Sequence, residues 1–168
     1  MKITISDIEE PLTIEVSEPF TEDLDARPMG SITGTLQLER HGREVEIRGN
    51  VSLSVNLNCS RCLVDFRQLV SSDFDLLYLP SESLSREPSH EIHRDEGNIG
   101  FYSNDQIDIS RLLNEQIILN IPMKPLCRDD CKGICPVCGK NMNEESCTCR
   151  QETGDTRFRI LNTLRKEH

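Results

Sequence analysis

Apolar and polar residues alternate through "EVEIRGNVSLSVNLNC". The odd positions Val45, Ile47, Val51, Leu53, Val55 and Leu57 are apolar, while Glu46, Arg48, Asn50, Ser52, Ser54 and Asn56 between them are polar. A period of two sends successive side chains to opposite faces of a strand, so this segment predicts a long strand with one buried face. Gly49 occupies an apolar slot and is expected to mark a bulge. Upstream, "SITGTLQLER" alternates in the same way, and "HGR" supplies a turn between the two. Downstream, "LVDFRQLVSSDFDLLYLP" puts Val64, Phe66, Val70, Phe74, Leu76 and Tyr78 on one face. Three such strands in a row predict an antiparallel meander, one that could curl toward a barrel. A further strand is expected at "LTIEVSE", inside a polar, acidic stretch of 30 residues that carries Pro11, Pro19 and Pro28.

The period then changes. In "DISRLLNEQIILNIP", Ile109, Leu112, Leu113, Ile117 and Ile121 fall at helical spacing, Asp108 or Ser110 can cap the start, and Pro122 closes the end. This helix is expected to cover the apolar face of the sheet. Before it, residues 80–100 are polar with two prolines and read as a mobile loop. Near the end, "GDTRFRILNTLRKEH" predicts a second helix, with Asp155 as N-cap, Phe158, Leu161 and Leu164 on one face, and Arg165 and Lys166 in the last turn. The expected fold class is α+β: a β-rich domain over 1–126, a cysteine-rich module over 127–150 and a terminal helix over 151–168.

A chain of 168 residues can bury a core without disulfides, and with no Trp and 4% aromatics that core must be aliphatic. No apolar run is long enough to span a membrane. The segment "MKITISDIEE" has no apolar stretch and turns acidic at once, so no secretory signal is expected and the reading is cytoplasmic. The net charge of −10 lies wholly in residues 1–100, with 9 Lys/Arg against 19 Asp/Glu; residues 101–168 carry 10 of each. Bulk electrostatics therefore do not favour nucleic acid, and any such contact must come from a local patch or through a partner.

Eight cysteines fall in four close pairs: Cys59/Cys62, Cys127/Cys131, Cys135/Cys138 and Cys147/Cys149. In a reducing compartment this pattern points to metal before disulfides. Cys59 and Cys62, in "LNCSRCLV", lie between two predicted strands, so they form a zinc knuckle at a hairpin tip. Zinc takes four ligands, and eight thiols fill two sites in one of three pairings. Joining Cys135/Cys138 to Cys147/Cys149 encloses only "GKNMNEES". Cys59/Cys62 then joins Cys127/Cys131, and that longer closure costs only about 2 kcal/mol more in loop entropy. Joining Cys127/Cys131 to Cys135/Cys138 is disfavoured, because "KGI" is too short to turn the chain back. Sites filled by four sulfurs leave no open position for water or substrate, so two structural zinc ions are expected.

Other chemistries fit less well. A thioredoxin-like redox pair needs its CxxC at a helix start, and here a strand follows. His90 and His93 lie in the polar loop, His41 and His168 stand apart, and Asp73 and Asp75 project from the solvent face of a strand. No nucleophile elbow, phosphate loop, dinucleotide fingerprint or HExxH appears, so no catalytic residue is expected.

The order of the pieces is specific. A hairpin with "CSRCL", the helix "DISRLLNEQIILNIPMKPLC", then "CKGICPVCGKNMN" with two further cysteines, and a terminal "DTRFRILNTLRK" together resemble the YceD-like family, the large ribosomal RNA subunit accumulation proteins of bacteria and chloroplasts. The resemblance covers about residues 30–168. It implies a non-enzymatic factor needed for large-subunit (23S) rRNA to accumulate or be processed, with that rRNA or a large-subunit ribosomal protein as partner and no small-molecule substrate. The family's CxxC corresponds to Cys59 and Cys62, and its cysteine-rich stretch to Cys127 through Cys149. Local cations that could meet RNA are Arg61, Lys132, Lys140, Arg157, Arg159, Arg165 and Lys166. They could equally form a solvated face or offset the −2 of each zinc tetrathiolate. A thiol redox protein, or a protein-binding zinc module without RNA contact, are the alternatives.

Overall fold

A computed structural model describes residues 1–22, 26–82 and 98–149. The terminal helix expected over 151–168, and the part of the polar loop holding His90 and His93, lie outside the described residues. In chain order the elements are β1 (Lys2–Thr4), a 3-10 turn at Ile5–Asp7, β2 (Leu12–Pro19), β3 (Arg27–Pro28), β4 (Ser31–His41), β5 (Glu44–Asn58), β6 (Asp65–Pro80), β7 (Ile99–Tyr102), β8 (Gln106–Asp108) and α1 (Ile109–Asn120).

The predicted meander is β4, β5 and β6, joined antiparallel, with β2 on the outer side of β4. The short β3 continues the line of β4 along β5, pairing Arg27 with Asn56 and Pro28 with Val55. The sheet does not close into a barrel. It is an open six-stranded sheet in the order β2-β4-β5-β6-β7, and β2 and β7 stand at opposite edges. A helix covers the apolar face in place of a second wall of sheet.

Two local expectations are corrected. Gly49 makes no bulge: the register runs unbroken from Leu36↔Gly49 to Gly49↔Phe74. Its slot lacks a side chain because Leu36 and Phe74 fill the space, and a Cβ there would lie 2.5 Å from Leu36 Cδ2 and 2.6 Å from Phe74 Cζ. The stretch read as loop also ends in structure. Ile99–Tyr102 forms β7, parallel to β6 through Leu77↔Ile99 to Pro80↔Tyr102.

Asp108 caps α1, its carboxylate accepting from Arg111 N–H at 3.2 Å. The Ser110 hydroxyl turns instead to Glu18, donating at 2.6 Å. Ile109, Leu112, Leu113 and Ile117 pack against the inward row of the sheet, including Ile32, Leu36, Ile47, Val51 and Leu53, all essentially excluded from water. One polar residue enters this layer. Asn114 is 2% exposed, accepts from Thr21 N–H at 3.0 Å and donates to the Ser110 carbonyl at 2.7 Å, so its amide is satisfied. Where the chain leaves α1, Pro125 accepts a hydrogen bond from Ser60 N–H at 2.8 Å. That contact brings the β5–β6 tip beside the cysteine-rich segment.

Candidate metal centre

The β5–β6 connection is a tight loop that aims sulfur inward. Leu63 N–H donates to the Cys59 carbonyl at 2.9 Å and Cys59 N–H to the Val64 carbonyl at 3.0 Å. Leu63 takes a left-handed φ of 60° while 64% exposed. A non-glycine residue there costs roughly 1 kcal/mol, and the tight turn holds it.

The structure gathers the eight cysteines into two groups. Cys59, Cys62, Cys127 and Cys131 form one, and Cys135, Cys138, Cys147 and Cys149 the other, each with its sulfurs within 4.8 Å of one another. In the first, Cys59 Sγ lies 3.7 Å from Cys131 Sγ, and Cys62 Sγ 3.6 Å from Cys127 Sγ. In the second, Cys135 to Cys147 is 3.3 Å and Cys138 to Cys147 is 3.9 Å. A tetrahedral tetrathiolate with metal–sulfur bonds of about 2.3 Å has sulfur–sulfur edges of about 3.8 Å. Both groups lie near the spacing a tetrahedral cation needs, though Cys135 and Cys147 would have to part by about 0.5 Å.

The two groups differ in burial. Cys59, Cys62 and Cys131 form a small core of their own with Phe66 and Leu126 against it. In the second group Cys135 is buried, Cys147 and Cys149 are half-buried, and Cys138 is exposed.

Donors are aimed at particular sulfurs. Burial pushes the Cys59 thiol up, but backbone N–H groups of Cys127, Cys62 and Arg61 outweigh it and hold Cys59 at about 6. Burial and the three neighbouring sulfurs push Cys127 up to about 12. In the second group backbone N–H groups of Cys138 and Val137 bring Cys135 down to about 6, while Cys147 and Cys138 push Cys149 up to about 12. Each group thus carries a stabilised thiolate beside a thiol whose proton a bound cation would have to displace.

The segment after α1 is built around the hairpin tip. Arg61 Nη1 donates to the carbonyls of Asp129 at 3.3 Å and Cys131 at 2.9 Å. Ile134 N–H donates to the Arg61 carbonyl at 3.1 Å. Gly133 has φ +76°, a conformation that favours glycine, and a Cβ there would also sit a tight 3.0 Å from that carbonyl oxygen. Asn143 accepts from Lys132 N–H at 2.8 Å and donates from Nδ2 to Cys131 Sγ at 3.3 Å.

Of the cations singled out in the sequence, Arg61 is engaged with backbone carbonyls, and Lys140 pairs with Glu145 at 2.7 Å. Lys132 is exposed. Arg157, Arg159, Arg165 and Lys166 lie outside the described residues. One grouping was not expected. His41 meets Glu39 at 3.4 Å, with Glu46 beside them on the polar face of β4 and β5. Arg48 reaches Glu46 from the same face and offsets its charge. Neither Asn143 nor the Glu39–His41 pair has a local signature; both depend on which strands and loops become neighbours.

Relatives place this architecture. The chain is 26% identical over 177 residues to the "Large ribosomal RNA subunit accumulation protein YCED homolog 1, chloroplastic" of Arabidopsis thaliana, an alignment covering 88% of this chain and 53% of that protein. The Zea mays protein of the same description is 26% identical over 149 residues, 74% of this chain and 50% of that protein. YlbN of Bacillus subtilis is 26% identical over 159 residues, 92% of this chain and 86% of its own. The chain spans about half the length of the plant relatives it matches. No solved structure matches the chain. A family profile described as "Large ribosomal RNA subunit accumulation protein YceD" matches residues 47–165. That match takes in the β5–β6 tip and both cysteine groups, and the chain belongs to this family.

Proposed function

We propose that this protein is a non-enzymatic, cytoplasmic factor for accumulation of large-subunit (23S) rRNA, built on two structural zinc ions held by its eight cysteines. The observation that carries the reading is the pair of closed four-sulfur groups on a sheet scaffold in a chain of this family. Four thiolates complete the coordination of zinc and lock the geometry around it, which suits a rigid docking module rather than metal catalysis. Zinc would supply fixed charge and cross-linking there; the hairpin tip, Arg61 and Asn143 orient the sulfurs. The first four-sulfur group joins the β-rich domain of residues 1–126 to the start of the module at 127–150, and the second lies wholly inside that module.

RNA contact is assigned to the half with no net charge, through Lys132 and the terminal set Arg157, Arg159, Arg165 and Lys166, a choice that for the terminal set rests on sequence alone. A second reading has a specific observation behind it. The solvent face of the sheet carries Glu15, Glu39, Glu46, Asp73 and Asp75, with Arg48 among them. Such a face suits a basic ribosomal protein. Sedimenting a lysate through a gradient tests both. The protein should run with large-subunit precursors. Reversing the charge of Lys132 and the terminal set should release it without lowering its zinc content. Release only on neutralising the acidic face would establish the protein-mediated version, and sedimentation free of precursors would reject the assignment. Zinc content near two per chain, with no readily oxidised pair, would separate this reading from a thiol redox protein.

A further inference from the structure

The loop enclosed by the second cysteine group touches the first. Asn143 lies between Cys138 and Cys147, yet its side chain works on the other group: it accepts from Lys132 N–H at 2.8 Å and donates to Cys131 Sγ at 3.3 Å. The amide orientation is fixed by chemistry. A backbone N–H can only donate, so the oxygen must face Lys132 and the NH₂ must face sulfur. Asn141 Oδ1 accepts from Asn143 Nδ2 at 2.8 Å and from Asn143 N–H at 3.1 Å, holding the side chain and its backbone together. The loop is seated on the first group by Met142 N–H to the Gly133 carbonyl at 2.9 Å, and on the second by Cys135 N–H to the Lys140 carbonyl at 2.8 Å. Only Lys132, Gly133 and Ile134 separate Cys131 from Cys135.

We infer that Asn143 is a positioning residue that couples the two metal sites: closure of the less buried second site shapes the loop that presents the Asn143 amide to the Cys131 sulfur of the more buried first site. The inference rests on the two-ion reading above. A thiolate with a hydrogen-bond donor keeps its metal longer, because the donor holds the ligand in place and stabilises its charge. Opening the second site withdraws that donor. The second site, with Cys138 exposed, opens first. The protein should therefore release its ions in two linked steps, a fast one from the second site and a slow one from the first.

The test follows zinc release from the full-length, zinc-loaded protein to a chromophoric chelator, beside total zinc by elemental analysis. The wild type should hold two ions and release them in two phases. Asn143→Asp keeps the acceptor for Lys132 N–H but replaces the donor to sulfur with a carboxylate oxygen. It should speed the slow phase by about 10- to 100-fold, the usual loss of metal affinity on removing a ligand's partner, taken here as faster release. A role limited to holding Lys132 would leave that phase unchanged in Asn143→Asp and speed it only in Asn143→Ala, which would overturn the inference. Cys147→Ser should abolish the fast phase and speed the slow one, and adding Asn143→Asp to it should bring no further gain. A slow phase at the wild-type rate in Cys147→Ser would also overturn the coupling. Fewer than two ions in the wild type would reject the two-ion reading itself, an outcome distinct from two ions released independently.

Discussion

Arg61 at the tip of the β5–β6 hairpin reaches across to the carbonyl oxygen of Cys131, 2.9 Å away. The same guanidinium nitrogen donates to the Asp129 carbonyl, and the Arg61 carbonyl accepts from Ile134 N–H. A residue that reads from sequence as a candidate RNA contact is thus a brace between hairpin tip and cysteine segment. Arg61→Ala should cost about 1–2 kcal/mol of stability. Arg61→Lys should restore only part of it, since a flexible ammonium lacks the planar guanidinium's preset geometry for reaching both carbonyls from one nitrogen. Thermal melts of the zinc-loaded proteins decide this; a lysine variant melting with the wild type would argue against the brace.

Loss of one cysteine should have different reach in the two sites. The first site joins the β5–β6 tip to the segment after α1, whereas the second closes within residues 135–149. Structural zinc is worth on the order of 10 kcal/mol in small peptides, comparable to the stability of a whole domain. Cys59→Ser should lower the melting point of the sheet strongly. Cys135→Ser should lose one zinc while backbone amides of β4–β6 stay protected from exchange. Equal melting of Cys59→Ser and wild type would show that the first site does not brace the domain.

Metal affinity should rise with pH. At neutral pH Cys59 and Cys135, held at about 6, are largely thiolates, whereas Cys127 and Cys149, pushed up to about 12, retain their protons. A tetrathiolate needs all four deprotonated. Binding therefore expels protons, and by mass action acid opposes it. Below about pH 6 Cys59 and Cys135 take up protons too, so more are expelled per ion and the loss of affinity steepens. Competition against a chelator at several pH values measures this, and an affinity flat across neutrality would contradict it.

Gly34 and Gly49 should respond differently to alanine. A Cβ on Gly34 would lie 2.0 Å from the Asn50 carbonyl oxygen and 2.7 Å from Val51 Cα, both backbone atoms of the neighbouring strand. On Gly49 it would meet the side-chain ends of Leu36 and Phe74, which can turn aside. Gly49→Ala should cost about 1–3 kcal/mol, as overpacking usually does, and Gly34→Ala more, because β5 itself must shift. Denaturant midpoints of the two variants give the order.

The long strands were legible because one face of each is buried, and burial writes a period of two into β4, β5 and β6. Ile109, Leu112, Leu113 and Ile117 announced α1 by the same logic at helical spacing. β7 left no such trace: four residues at Ile99–Tyr102 become a strand only by lying along Leu77–Pro80. Gly49 misleads because an absent side chain records its neighbours' bulk as readily as a kink. At the cysteines, the close pairs and the lengths between them pointed to the grouping in which the structure gathers them. What Arg61 and Asn143 touch could not be read, since both reach residues brought near only by the finished fold.

The first cysteine group also has a timetable. Cys62 and Cys127 are 65 positions apart, and between them lie β6, β7, β8 and α1. During synthesis the hairpin tip emerges as an unfinished two-thiol half-site and waits while those elements are made. Only when Cys127 and Cys131 follow, with α1 docked and Pro125 hydrogen-bonded to Ser60, can four sulfurs meet. On the two-ion reading, capture of a cation at that point would mark the chain as made and folded through Cys131, and the ion would serve as a seal on the order of assembly.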